Sequence, residues 1–308
     1  MKKLISVLFL MFLINYLVPS KALAEDISFG VYPPIIKIRA KSSSKVSAAI
    51  KIKNFSGREI SLQVVLRPFE DAKTQDGQFK FILYKDYTNE LANFLSKIRI
   101  VEKDQSVSEL IIGPEQEKNL NLIIDIGKLS EHRDYYFSAV FLTHNNHSSS
   151  NSFTRIIQGV GSNILVSMGD GQQNLQIEDF TVPFTQTKKT LDFSFILTNS
   201  SDRFSTIKPY ILVKNIFGKQ IERIDFSQTN ILAKSSRNFT AKEAEFINTK
   251  GGEFLLGPYT TTLILNNEEK ILTKNANFVS LPLKHVLILT LILIFLIFTT
   301  ARIKSRVF

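Results

Sequence analysis

Glu70, Asp71, Asp76 and Gly77 stand close together in FEDAKTQDGQFKF, Phe69 to Phe81. Carboxylates at such spacing can ligate a hard cation or act as a general acid and base. A calcium loop needs an oxygen ligand at every second position and a closing glutamate. Here Lys73 and Gln75 follow Asp71, and the closing position is Ile82. Acid–base work by Asp71 and Asp76 would need a pocket, and a lysine-containing loop between strand-like runs gives no sign of one. The stretch reads as a hairpin with its tip at Gln75-Asp76-Gly77 and with Phe79 and Phe81 opening the return strand on one face.

The remaining chemical inventory is thin. His144 and His147 in THNNHSSSNS have an H-x-x-H spacing but no nearby Asp, Glu or Cys to complete a tetrahedral site. His132 in SEHRD reads as a polar turn. Gly159 and Gly161 in QGVGSN lack the third glycine of a dinucleotide fingerprint and read as a strand bulge. No nucleophile elbow, P-loop or H-E-x-x-H occurs. A non-catalytic chain without cofactor, metal or small-molecule substrate is the expectation.

The elements around these residues are strands. In VSAAIKIKN, Val46, Ala48, Ile50 and Ile52 fall on one face, and in EISLQVVLRPF the same holds for Ile60, Leu62, Val64 and Leu66. LNLIIDI, DYYFSAVFLTH, LDFSFILTN, TIKPYILVKN and YTTTLIL continue the pattern. Period-2 runs at roughly 8–12-residue spacing argue for antiparallel sandwiches. One short helix is expected, near Thr88 to Leu95. The turn-rich MGDGQQN divides the body into residues 25–168 and 175–280, with 169–174 as linker. Each half carries an early strand that leaves through an asparagine, at Asn54 in KIKNFSG and Asn199 in FILTNSSD. Such an asparagine caps its own turn. The fold expectation is all-β: two tandem immunoglobulin-like β-sandwich domains followed by a single C-terminal transmembrane helix.

Both ends read as targeting segments. Residues 1–24 have the layout of a secretory signal, with Ala22 and Ala24 at the small-x-small cleavage site. Residues 281–301 are apolar enough to suggest a membrane span, with Lys284 at its near edge. Arg302, Lys304 and Arg306 make residues 302–308 a basic cytoplasmic tail. The expected location is therefore the cell membrane, single-pass, with the body outside. Seven of the 38 basic residues belong to these ends, leaving 31 against 28 acidic ones. The formal charge of +10 thus loses its force as a sign of nucleic-acid binding. Cysteine is absent, so the body must be stabilised by its core alone.

The spacing Ala72-x-Thr74-x-x-Gly77-x-Phe79-x-Phe81, following a strand that ends at Asn54, resembles a segment of the WxL-interacting proteins of Gram-positive surfaces. Ala233, Ser236 and Phe239, then Gly257, Tyr259 and Leu263, occupy places similar to that family's later motifs, with Lys234 where a proline is usual. The resemblance implies a first domain that contacts peptidoglycan and a second that faces other cell-surface proteins. The leading expectation is a membrane-anchored cell-surface scaffolding protein. Tandem sandwiches of this size also resemble pilus chaperones, so the alternative is a membrane-tethered chaperone-like assembly factor for exported subunits. A donated-strand role of that kind predicts an exposed edge strand.

Overall fold

A computed structural model describes residues 28–41, 43–127, 133–143, 157–169, 173–186, 191–240, 256–267, 270–281 and 283–307. Ala22, Ala24, His132, His144 and His147 lie outside these, as do the side chains of Lys284, Lys304 and Arg306.

The first domain runs through β1 (Phe29–Tyr32), β2 (Ile35–Ala40), β3 (Lys45–Asn54), β4 (Ile60–Asp71), β5 (Phe79–Phe81), helix α1 (Asn89–Ser96), β6 (Ile98–Glu102), β7 (Gln105–Ser106), β8 (Glu109–Ile112), β9 (Glu117–Asp125), β10 (Asp134–Thr143) and β11 (Gly159–Met168). One sheet has the order β1-β3-β9-β6-β7 and the other β2-β11-β10-β4-β5, with β8 on β4. Alternation fills the space between them: Ile50 and Ile52, then Leu120, Leu122 and Ile124, are buried against Phe137, Phe141 and Ile164. Helix α1 is capped by Thr88, whose hydroxyl accepts from Leu91 N at 3.1 Å. Its Phe94 stacks on Tyr135 with ring centroids 4.0 Å apart.

The second domain repeats this plan with β12 (Leu175–Thr181), β13 (Thr185–Gln186), β14 (Ser194–Asn199), β15 (Ser205–Asn215), β16 (Gln220–Asp225), β17 (Thr229–Ile231), β18 (Ser235–Thr240), β19 (Gly257–Asn266) and β20 (Ile271–Ser280). Its sheets have the orders β12-β14-β18 and β13-β20-β19-β15-β16, with β17 on β15. Phe195, Phe226 and Phe239 centre its core, Phe195 stacking on Phe239 at 4.7 Å. In both domains the first strand crosses from one sheet to the other at a proline. Pro33 and Pro34 separate β1 from β2, and Pro183 separates β12 from β13. The second half then lies parallel to the domain's last strand, β2 on β11 and β13 on β20. The chain thus comprises two immunoglobulin-like β-sandwiches.

The two asparagines make the same corner. Asn54 is fully buried, and its Nδ2 donates to the carbonyls of Arg58, Ile112 and Gly113 at 2.7, 3.2 and 2.9 Å. Its Oδ1 accepts from the backbone N and the hydroxyl of Ser56. Asn199 Nδ2 donates to the carbonyls of Arg203, Ile231 and Leu232 at 2.7, 3.2 and 3.0 Å, while Ser201 supplies both donors to its Oδ1. Each amide satisfies backbone carbonyls of a second loop that would otherwise be buried without donors.

Helix α2 (Leu283–Val307) corrects one expectation. Among the described residues no helix is long and apolar enough to cross a membrane. Only the sixteen residues Val286–Ala301 lie between the basic positions 284–285 and 302. At ~1.5 Å per residue they span about 24 Å, short of a hydrocarbon core of ~30 Å. The expected transmembrane helix and single-pass placement at the cell membrane are therefore not supported. The apolar side chains from Val286 to Phe298 are exposed, and the guanidinium of Arg302 lies 5.9 Å from the Phe298 ring centroid.

Candidate docking edge and interdomain interface

The hairpin from Phe69 to Phe81 forms as expected, β4 pairing antiparallel with β5. Ala72 N donates to Gln78 O at 3.0 Å to close the loop. Thr74 donates its hydroxyl to the Asp76 carboxylate, which also accepts from Gln78 N at 3.0 Å. These donors, Thr74 first, hold the Asp76 carboxyl below its ordinary range, with Arg237 contributing. Asp76 is exposed, whereas Asp71 is buried with Lys73 Nζ 3.5 Å from its Oδ2. The loop reaches the second domain. Asn238 N donates to Gln75 O at 2.6 Å, and Lys73 Nζ donates to Lys234 O at 2.9 Å. Gly77 has φ +79°, and a methyl group there would come within 2.6 Å of Arg237 Cζ. The positive φ is what favours glycine here, since the Arg237 guanidinium is the far end of a flexible side chain.

Behind this strut the domains share a small core. Phe69, Leu165 and Phe204 are buried together, with Tyr136 and Leu232 packed against them. The Asp134 Oδ2 accepts from Phe204 N at 2.5 Å and from the Tyr136 hydroxyl at 2.9 Å. Tyr136 Oη in turn accepts from Ala233 N at 3.0 Å. Arg203 Nε donates to Ser167 Oγ at 2.9 Å, and Lys37 Nζ to Thr206 Oγ1 at 3.1 Å. Burial pushes the Asp134 carboxyl up against its hydrogen bonds, and burial, with the Asp134 charge beside it, drives the Tyr136 phenol far above its usual range. A cleft of about 470 Å³ opens beside these groups, lined by Phe69, Asp71, Arg133, Asp134, Tyr136 and Lys234.

The sheet edges differ between domains. Strand β11 pairs with β10 along nine residues, from Leu142↔Gly159 to Asp134↔Ser167. Strand β2 joins its other side only from Asn163 onward. Upstream of that point lie Pro33 and Pro34, which have no N–H to donate, and the chain leaves for the opposite sheet. Among the described residues Gly159–Ser162 therefore keep one edge unpaired, and Ser162 Oγ donates to Pro33 O at 2.7 Å where the gap ends. No charged residue occurs from Gly159 to Met168. Exposed Ile157 and Val160 flank the opening. The bulge expected at Gly159 and Gly161 is absent, since the ladder passes through both without a register shift.

Among the described residues strand β20 is open over a longer stretch, because β13 meets it only at Val279 and Ser280. Its edge is guarded. Lys274 turns inward, its Nζ donating to Glu178 O of β12 at 2.6 Å and so tying one sheet to the other. On the opposite edge of that sheet, Glu222 of β16 also points inward, its Oε2 buried without a partner among the described residues, and burial pushes its carboxyl up. Inward-pointing charges on edge strands discourage further pairing.

The residues of the sequence pattern divide into groups. Ala72 and Thr74 bond within the hairpin loop, whereas Gly77 lies against Arg237 across the domain interface, beside the contacts of Lys73 with Lys234 and of Gln75 with Asn238. Phe79 packs on Phe69 at 4.5 Å and on Phe81 at 5.5 Å. Ser236 Oγ meets Thr198 Oγ1 at 2.7 Å, and Phe239 belongs to the second core. Gly257 and Tyr259 lie at the far end of the second domain, Tyr259 stacked on Phe278 at 5.2 Å. These positions are spent on turns, cores and the interface. Asp134, Tyr136 and the β11 edge were not singled out by sequence reasoning.

No family model matches the chain, and no curated protein matches it. Among solved structures it is similar to the class 5 fimbriae chaperone CfaA, at 12% identity over 80% of this chain and 98% of that one, with a TM-score of 0.43. A chain of the chaperone–tip adhesin complex of CFA/I fimbriae biogenesis gives 12% identity, 83% and 99% coverage and 0.42. A chain of the CsuC–CsuE pre-assembly complex from Csu pili of Acinetobacter baumannii gives 12%, 82%, 99% and 0.38. What those proteins bind is a property of those proteins. Membership of the WxL-interacting family is corrected: no family model supports it, and the three structures named above come from pilus chaperone systems. The expected contact with peptidoglycan was implied by that family and falls with it.

Proposed function

We propose that this protein is a non-enzymatic, chaperone-like assembly factor that holds exported protein subunits by strand addition. The observation that carries the reading is the uncharged, half-open edge of β11 at Gly159–Ser162. Unpaired backbone N–H and C=O groups on a sheet edge bind an extended segment of another chain, and neighbouring side chains select its sequence. The interface through Asp134, Tyr136 and the 69–81 hairpin holds the second domain against the end of the same sheet. A subunit seated on β11 would thus meet a preformed two-domain surface, which limits the ordering cost of binding.

The test is site-specific photo-crosslinking in the full chain, co-expressed with exported β-sandwich subunits of its host. A crosslinker replacing Val160 is expected to capture a subunit, and one replacing Asn275 on β20 is not. Absence of any product from position 160, or equal yields from both positions, would overturn the reading.

A further inference from the structure

Gly159 and Gly161 have a use that backbone conformation does not explain. Neither has a positive φ, in contrast to Gly77, Gly169, Gly218 and Gly257, so any residue could adopt their extended conformation. What they provide is room. A methyl group on Gly159 would lie 2.7 Å from Leu142 Cδ2 and 3.5 Å from Val140 Cγ1. One on Gly161 would lie 3.0 Å from Ala139 O and 3.4 Å from Val140 Cγ2. Val140 and Leu142 sit opposite Gly161 and Gly159 in the ladder. Their neighbours Phe137, Ala139 and Phe141 face the core, so these two side chains stand on the outer face of the sheet, half-buried. They fill the space that side chains at the two glycines would occupy.

We infer that Val140 and Leu142, reaching over Gly159 and Gly161, select an incoming strand with aliphatic side chains on the outer sheet face. The inference rests on the strand-addition reading and specifies its partner. An ordinary edge strand would present its own side chains beside the newcomer. Here β11 presents none on that face at two successive outward positions, and their cross-strand partners from β10 take their place within reach of a third strand. No charge on β11 balances a charged partner there, and the surface offered is aliphatic. Aliphatic residues of the partner at alternate positions would cover it.

The test uses the full chain and two lysine-flanked ten-residue peptides, one alternating valine with threonine and one alternating serine with threonine. Binding is read by titration and by amide exchange at Gly159–Ser162. The valine peptide is expected to bind about tenfold more tightly, the scale of one buried aliphatic contact. In Val140→Thr/Leu142→Thr the preference should fall to about unity while slowed exchange of the β11 edge persists at high peptide concentration. Gly159→Ala, whose methyl displaces only the flexible end of Leu142, should weaken valine-peptide binding without loss of thermal stability. A preference that survives both variants, or equal binding of the two peptides to the parent, would overturn the inference and leave strand addition standing. If neither peptide slows exchange at Gly159–Ser162, strand addition at this edge is itself wrong.

Discussion

Strands β11 and β20 are the closing strands of two domains with one topology, yet they end up with opposite characters. Each is joined in parallel by the second half of a first strand that changed sheets at a proline. β20 carries Lys274, anchored inward on Glu178 O. β11 carries no charge, two glycines, and an opening where Pro33 and Pro34 cannot pair. The lesson is that the shared plan creates an edge problem in both copies, and only one copy defends it. The undefended edge is the one placed in the sheet whose end abuts the partner domain, through Asp134, Ser167 and Lys37.

The largest effects should come from what the domains have in common. Asn54→Ala and Asn199→Ala each remove the donor for three carbonyls, and each is expected to cost about 3–5 kcal/mol in denaturant unfolding. Clearly unequal losses would show that the two corners are not equivalent. Next comes the interface between the copies. Tyr136→Phe deletes the hydroxyl that joins Asp134 to Ala233 N and should cost about 1–3 kcal/mol, visible as two separated thermal transitions where the parent shows one. A single unshifted transition would remove this bond from the account of domain coupling.

Asp134 gives a smaller, pH-dependent effect. Its carboxyl is raised by burial in the folded state, so the folded form binds the proton more readily than the unfolded one. Its contribution to stability is therefore fully present below the ordinary carboxylate value near 3.9 and is lost as pH rises through the raised value. The stability difference between the parent and Asp134→Asn should change across that window and stay flat above it; a difference that is constant with pH would contradict the assignment. Smallest in stability is Lys274→Val, expected within ±0.5 kcal/mol. Its consequence lies in association: removing the inward lysine should raise the sedimenting mass at high concentration, because the β20 edge loses its guard. No change in mass would mean that the lysine is not what closes this edge.

Much of the architecture was legible in the residues. Alternation in VSAAIKIKN and LNLIIDI marks buried strand faces, because a sandwich core accepts every second side chain. Asn54 and Asn199 could be read as strand exits, since an asparagine tolerates left-handed backbone and caps its own turn. The interface was not legible, because several of its contacts are half backbone: Gln75 O, Lys234 O, Phe204 N and Ala233 N carry no residue signature. Nor was the open edge, which depends on where β2 begins to pair with a strand more than a hundred residues away. The glycines at 159 and 161 looked like a bulge because their role lies in the next strand, at Val140 and Leu142. At the C-terminus the apolar run was plain, but counting it back to Leu281 took in the basic positions 284–285.

The central claim is that β11 receives a strand and β20 does not, and amide hydrogen exchange measures both edges in one experiment. With a co-purified exported subunit bound to the full chain, exchange at Gly159–Ser162 should slow by at least tenfold while Ile271–Asn277 is unchanged. Slowed exchange confined to β20, or no slowing at either edge in a complex that demonstrably forms, would contradict the account.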